Sequence, residues 1–215
     1  MKMQRRRLPG ALHPTKSEGG RKSMNTALLL IDIQNDYFPN GAMELEGSSD
    51  AGRRAGEILQ CFRQRHLPVV HVRHLSLRPG STFFLPGTDG ARIHEAVTPL
   101  PGETVIEKHF PNSFRETGLL DHLRKEKVTH LMIGGMMTHM CVDATVRAAF
   151  DFGFSCAVLY DACATRALTF GNLQIPAASV HGAFLASLGS MYARIMSVHD
   201  AAQKIAESYA AKLNS

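Results

Sequence analysis

The sequence predicts an α/β protein with three layers, α/β/α, Rossmann-like, built around a six-stranded parallel sheet. Three observations predict it. Short apolar runs alternate six times with segments of helical periodicity. The first run is apolar at nearly every position rather than every second one, as in strands covered on both faces. The segments between runs are long enough for crossover helices, which join parallel strands.

"TALLLIDI" (26–33) is the first strand, ending in a polar cluster. In "SSDAGRRAGEILQCFRQRH" (48–66), Ala51, Ala55, Ile58, Leu59 and Phe62 mark one helical face, with Ser48 or Ser49 as the cap. "PVVHVRH" (68–74) is the second strand. Residues 75–102 are rich in Pro and Gly and read as a long loop with a short helix near "ARIHEAV". Loops this long inside compact domains are usually functional. "ETVIEK" (103–108) is the third strand and "FRETGLLDHLRKEK" (114–127) a helix. "THLMIGG" (129–135) is the fourth strand, leading into a helix from about Thr138 to Phe152. "SCAVLY" (155–160) is the fifth strand, 161–176 is irregular and 177–191 is a helix. "ARIMSV" (193–198) is the sixth strand, and 199–213 is a last helix aligned by Ile205, Tyr209 and Leu213.

The formal charge is +5, with 24 Lys/Arg against 19 Asp/Glu. Seven of those bases and one of those acids lie in residues 1–23, so the remainder is close to neutral. The basic balance belongs to an extension that reads as disordered. It has no apolar core of a secretory signal. Residues 24–215 form the domain, with Met24 as a credible start. Neither nucleic acid nor membrane is an expected partner, because no apolar run approaches the ~20 residues of a membrane span. The four cysteines, Cys61, Cys141, Cys156 and Cys163, form no C-x-x-C pair. That excludes zinc-ribbon and thioredoxin readings and points to a reducing cytoplasm.

In such folds ligands bind beyond the carboxyl ends of the strands. There the first strand delivers Asp32, the second His74, the third Lys108, and the fourth Cys141 behind two glycines. A thiolate is a strong nucleophile, and a helix N-terminus and a nearby cation lower its pKa. Cys141, three residues after a Thr138 cap, stands in the first helical turn, and Lys108 supplies the cation. Asp32 is suited to move a proton from the thiol to a leaving group. Taken singly, each has an ordinary reading: a turn-forming Asp, a solvated Lys and a core Cys. Convergence on one sheet edge is what favours chemistry.

"IDIQNDYF" (31–38), "VIEKHFPNSFRETGL" (105–119), "GGMMTHMCVDATVRAAFDFG" (134–153) and "LYDACATR" (159–166) together resemble the isochorismatase-like cysteine hydrolases. The resemblance covers about residues 24–200. It implies a catalytic triad of Asp32, Lys108 and Cys141. It also implies a cis peptide at Met136–Met137 and an oxyanion site made by the backbone N–H groups of Met137 and Cys141. Isochorismatases proper lack the cysteine, so Cys141 favours C–N hydrolysis. Nicotinamidases carry an Asp-x-His metal motif after the second strand, which is missing here. His71 and His74, read as sharing one strand face, have no carboxylate near them in sequence. The expectation is therefore a metal-free, cofactor-free amidase acting on a small amide or carbamoyl compound, in the branch similar to N-carbamoylsarcosine amidohydrolase.

Phe38, His74, Phe110, Phe114 and His139 are expected to line the pocket. The alternatives are an isochorismatase-type or ester hydrolase on the same site, or a non-catalytic small-molecule-binding scaffold. The expected partners are a small-molecule substrate and further copies of the chain, as a dimer or tetramer.

Overall fold

Strand β1 (Thr26–Ile31) is almost wholly buried and lies at the centre of the sheet. The computed structural model describes residues 25–213. From β1 the chain runs outward through α1 (Ser48–Arg63), β2 (Val69–His74) and β3 (Thr104–Lys108). It then crosses back by α2 (Leu119–Lys125) to β4 (His130–Met136), on the other side of β1. From there α3 (Asp143–Asp151), β5 (Ser155–Ala164), a small hairpin of β6 (Leu168–Phe170) and β7 (Leu173–Ile175), α4 (Ala177–Met191), β8 (Ala193–Met196) and α5 (Val198–Leu213) complete the chain. The main sheet has six strands in the order β3-β2-β1-β4-β5-β8, and every pairing is parallel. The predicted three-layer architecture is the observed one.

Alternate residues of β1 serve the two helical layers. Leu28 and Leu30 pack with Ala51, Ala55, Ile58, Leu59 and Phe62 of α1 and with Ile205 of α5. Leu29 and Ile31 pack with residues of α2, α3 and α4, among them Leu123, Val146 and Leu188. Both faces are therefore apolar, which is why the strand reads as a continuous run. The strand order reverses between β1 and β4, so the crevice at their carboxyl ends is the topological switch point.

Several boundaries depart from the sequence reading. Helix α2 starts at Leu119, not at residue 114. The preceding residues fold into turns because Asn112 Oδ1 accepts from Phe114 N and Thr117 Oγ1 donates to Ser113 O, while Glu116 holds φ +56°. These side-chain bonds compete with the helical pattern. At the start of α1, Gly47 occupies the cap position and no side chain caps it. Strand β5 runs on to Ala164. It leaves β4 after Val158, pairs Leu159 with Met196 of β8, and returns to β4 at Cys163. The stretch expected to be irregular thus ends β5 and then forms the β6–β7 hairpin.

In α5, Ile205 is buried but Tyr209 is exposed. No helix among the described residues is long and apolar enough to cross a membrane. The expectation for residues 1–23 lies outside the described residues.

Candidate active site

The polypeptide turns sharply where β1 ends. Asp32 adopts φ +51°, a left-handed conformation that Asp tolerates better than most residues. Its backbone N–H still bonds Val72 O at 2.9 Å. Asp32 is therefore held by the sheet while the chain bends away into a short 3-10 helix, Asn35–Tyr37. Beside it, Gly135 of β4 holds φ +142°, and a Cβ there would overlap the Ile31 carbonyl. Only glycine lets β4 approach β1 this closely.

Lys108 ends β3, two strands away, in register with His74 of β2. Its side chain reaches the switch point, where Nζ lies 2.6 Å from Asp32 Oδ2 and 3.2 Å from Cys141 Sγ. His74 Nδ1 and Phe110 O each lie 3.1 Å from the same nitrogen. Asp32 is 0% exposed, Lys108 1% and Cys141 5%. The three residues expected to form the triad thus meet at one ammonium. Oδ2 makes its ion-pair approach, but neither Asp32 oxygen meets full hydrogen-bond geometry with any group among the described residues.

Cys141 stands in the turn between β4 and α3, and that turn is π-helical over Thr138–Val142. Thr138 does not cap it. Its hydroxyl donates to Ala164 O at 3.3 Å and contacts His181 Nδ1 at 2.9 Å. The cap position belongs to Met137, which joins Met136 through a cis peptide.

The sequence reading of a thiol with lowered pKa is corrected here. Burial pushes the Cys141 thiol up, and the Asp32 carboxylate pushes the same way, outweighing Lys108. Lys108 itself is buried, which lowers its pKa, but Asp32 and Cys141 more than compensate and hold the ammonium above its ordinary range. The resting site is thus an Asp32–Lys108 ion pair beside a neutral thiol.

The expected pocket residues divide. His74 lies against Lys108, and burial followed by the ammonium's charge lowers its pKa to about 4, so it is neutral. Phe110 gives its carbonyl to Lys108, while its ring stacks under the Arg115 guanidinium at 3.6 Å. His139 is half-buried and bonds Thr165. Phe38 is not brought to the triad: it stacks on His94 at 3.5 Å and faces Gly52 of α1. Phe114 packs against Phe152 and Phe154, in the apolar cluster that also holds Cys141.

Two residues that the sequence reading placed after the first strand without assigning a role support the site. Tyr37 is buried against Phe83 and Phe84, and its phenol is pushed well up by burial and by the charges of Cys141 and Asp32. Gln34 clamps the His74 backbone, accepting from its N–H at 2.6 Å and donating to its carbonyl at 2.9 Å. Both lie within "IDIQNDYF", but no periodicity distinguishes them from turn residues.

A group of Asp32, His74 and Cys141 has ligand atoms within 4.8 Å of one another. This donor set does not suit a resident metal, because the Lys108 ammonium already stands among the three. His71, expected on the same strand face as His74, is on the other. Three residues apart in a strand, the two side chains point to opposite faces, and His71 bonds Glu103 on the α1 side.

The isochorismatase domain family matches residues 26–199. An uncharacterized isochorismatase family protein of Bacillus subtilis, YddQ, is 50% identical over 80% of this chain and 96% of its own length. The ureidoacrylate amidohydrolase RutB of Cronobacter turicensis is 37% identical over 64% of this chain and 73% of its own length. Among solved structures, that of a putative isochorismatase hydrolase from Oleispira antarctica superposes with a TM-score of 0.82. It is 46% identical, covering 86% of this chain and all of the other.

Proposed function

This chain belongs to the isochorismatase family of hydrolases, and we propose that it is a cysteine-dependent hydrolase of C–N bonds in a small amide or carbamoyl compound. The observation that carries the reading is the position of Lys108 Nζ, 2.6 Å from Asp32 Oδ2 and 3.2 Å from Cys141 Sγ. RutB, an amidohydrolase by name, supports the same bond class.

In the proposed reaction Asp32 takes the thiol proton as Cys141 Sγ attacks the carbonyl carbon. The negative charge on the carbonyl oxygen is met by the backbone N–H groups of Met137 and Cys141. Collapse breaks the C–N bond, and Asp32 delivers the proton to the departing nitrogen as ammonia or amine. A thioester remains. Water then attacks it while Asp32 accepts a proton, and the thiol is regenerated as the acid leaves. The neutral resting thiol fits this scheme, because a buried thiolate beside an ionised carboxylate is costly until the proton moves with the attack. Lys108 stabilises both anionic forms in turn. These steps use the chain's own side chains and backbone N–H groups together with one water. A cytoplasmic location and assembly into a dimer or tetramer are proposed with this reading.

A panel of primary amides and N-carbamoyl compounds, assayed for ammonia, tests it. At least one should release ammonia, and Cys141→Ala should abolish that release while the protein stays folded by circular dichroism. Cleavage of esters alone would move the reading to the ester-hydrolase alternative. Full activity in Cys141→Ala would end it.

A further inference from the structure

An ammonium has three N–H bonds, yet Lys108 Nζ has four acceptors within 3.2 Å: Asp32 Oδ2, His74 Nδ1, Phe110 O and Cys141 Sγ. Three of these contacts meet hydrogen-bond geometry, those to His74 Nδ1, Phe110 O and Cys141 Sγ, so in this arrangement Asp32 holds an ion pair without an N–H of its own, and an ammonium that turns toward Asp32 must release one of the other three. Asp32 is an anion at the shortest distance, and Phe110 O is a strong backbone acceptor fixed two residues along the chain. The contest lies between the imidazole nitrogen and the sulfur. A neutral thiol accepts weakly and an imidazole lone pair strongly, but a thiolate accepts more strongly than either.

We propose that His74 is a positioning residue that takes the third N–H of Lys108 in the resting enzyme and yields it to Cys141 when the sulfur becomes a thiolate. The proposal rests on Cys141 being the nucleophile. The geometry gives His74 no freedom to do otherwise. Its backbone is clamped on both sides by the fully buried Gln34. It pairs in register with Lys108 across β2 and β3, and its ring leans on Phe84. Lys108 has no acceptor atom, so Nδ1 is the lone-pair nitrogen and Nε2 carries the proton. Burial and the ammonium keep the ring neutral through the working pH range, so its acceptor is always present. By holding one N–H away from the sulfur, His74 keeps the thiol protonated until a substrate draws the proton to Asp32.

The groups whose charges act on the sulfur are Asp32 from the end of β1 and Lys108 from β3. Tyr37, in the loop after Asp32, feels the same sulfur. His109 and Arg78 act on the imidazole. The readout is the pH midpoint of iodoacetamide labelling at Cys141, mapped by mass spectrometry, which needs no substrate. Two variants without an acceptor, His74→Leu and His74→Phe, should lower the midpoint by about one pH unit, which is about tenfold more thiolate at pH well below both midpoints. His74→Asn places an amide oxygen near the Nδ1 position and should restore the wild-type midpoint. A change of packing alone would move all three variants together.

Folding of either acceptor-free variant suffices for the comparison with His74→Asn. An unchanged or raised midpoint in the acceptor-free variants, or an Asn variant that behaves like them, overturns the proposal. Labelling is independent of the ammonia assay. An enzyme that cleaves no amide but shows these midpoints loses the amidase reading and keeps this one.

Discussion

Strand β2 sends one histidine into each of two charged clusters, one part-buried and one fully buried, and the clusters have nearly the same composition. On the α1 side, His71 meets Glu103 and Arg63. At the switch point, His74 meets Lys108, Asp32 and Cys141. The difference is in how the carboxylate is served. Glu103 Oε1 accepts from Arg63 Nε at 2.8 Å. Its Oε2 accepts from Arg63 Nη2 at 2.7 Å, from Leu100 N at 2.8 Å and from His71 Nε2 at 3.0 Å. The Arg63 guanidinium, the Leu100 N–H and His71 together hold its carboxyl down at about 2. The remaining loose end there is His71 Nδ1, a bare lone pair.

Among the described residues Asp32 has only the close approach of an ammonium whose three N–H bonds are aimed at His74, Phe110 and Cys141. A saturated carboxylate is a structural clamp. An undersupplied one beside an oversubscribed cation retains the capacity to exchange protons, which chemistry requires.

The largest effect that separates the clusters is on turnover. Asp32→Asn leaves the shape of the side chain and removes the proton acceptor. It should reduce kcat by about 10²–10⁴-fold, read in the ammonia assay with an active amide. Glu103→Gln should stay within about threefold of wild type, since among the described residues Glu103 bonds Arg63, His71 and Leu100 and no member of the triad. A Glu103 variant as inactive as the Asp32 variant would break the comparison.

Stability should rank the clusters the other way. The double variant Asp32→Asn/Lys108→Met removes two poorly served buried charges together. Replacing such a pair with well-packed apolar groups is often neutral or stabilising by about 1–4 kcal/mol, and the Asn amide that remains buried here offsets that gain, so this variant should stay close to wild-type stability. The variant Arg63→Met/Glu103→Gln removes a forked ion pair together with bonds to Thr98 O and Leu100 N. Charge-assisted hydrogen bonds contribute about 1.5–3 kcal/mol each, so this variant should lose at least that much in urea unfolding. If both double variants were destabilised equally, the distinction between clamp and reactive site would lose its energetic basis.

The two clusters also differ in how far the sequence revealed them. Asp32, Lys108 and Cys141 were legible because each follows an apolar run, and the fold brings strand ends to one edge. Their proton distribution was not. Helix and cation argued for a lowered thiol pKa, but burial and the Asp32 charge reverse the sign, and both depend on packing across β1, β3 and β4. The pocket aromatics carry less information, because Phe38 and Phe114 look the same in sequence whether they face a ligand or the core. Arg63 and Glu103 carried no signal, and His71 was read only beside His74: the three are 8 and 32 positions apart and meet only when α1 docks on β2. The π-helical turn at Thr138 and the bulge that lengthens β5 are set by the close approach of β4 to β1 and by pairing with β8. Neither leaves a periodic trace.

The smallest effect is a pH dependence confined to the clamp. Glu103 titrates at about 2 in the folded protein against an ordinary 4.5. A depressed carboxylate contributes stability that is complete above the unfolded value and is lost as pH falls from there toward the folded one. The window is therefore about 4.5 down to about 2. His71 is pushed below its ordinary 6.5, burial being the main cause. Its folded form resists protonation, so its contribution also falls as pH drops below 6.5. The sign is the same for both groups: acid weakens the clamp.

The difference in unfolding free energy between wild type and Glu103→Gln isolates the carboxylate. It should be level from pH 7.5 to about 5, then shrink steadily toward pH 3. A difference that stayed constant to pH 3 would mean that Glu103 carries no extra charge stabilisation in the fold. In that case the two clusters would have to be distinguished by hydrogen-bond geometry alone.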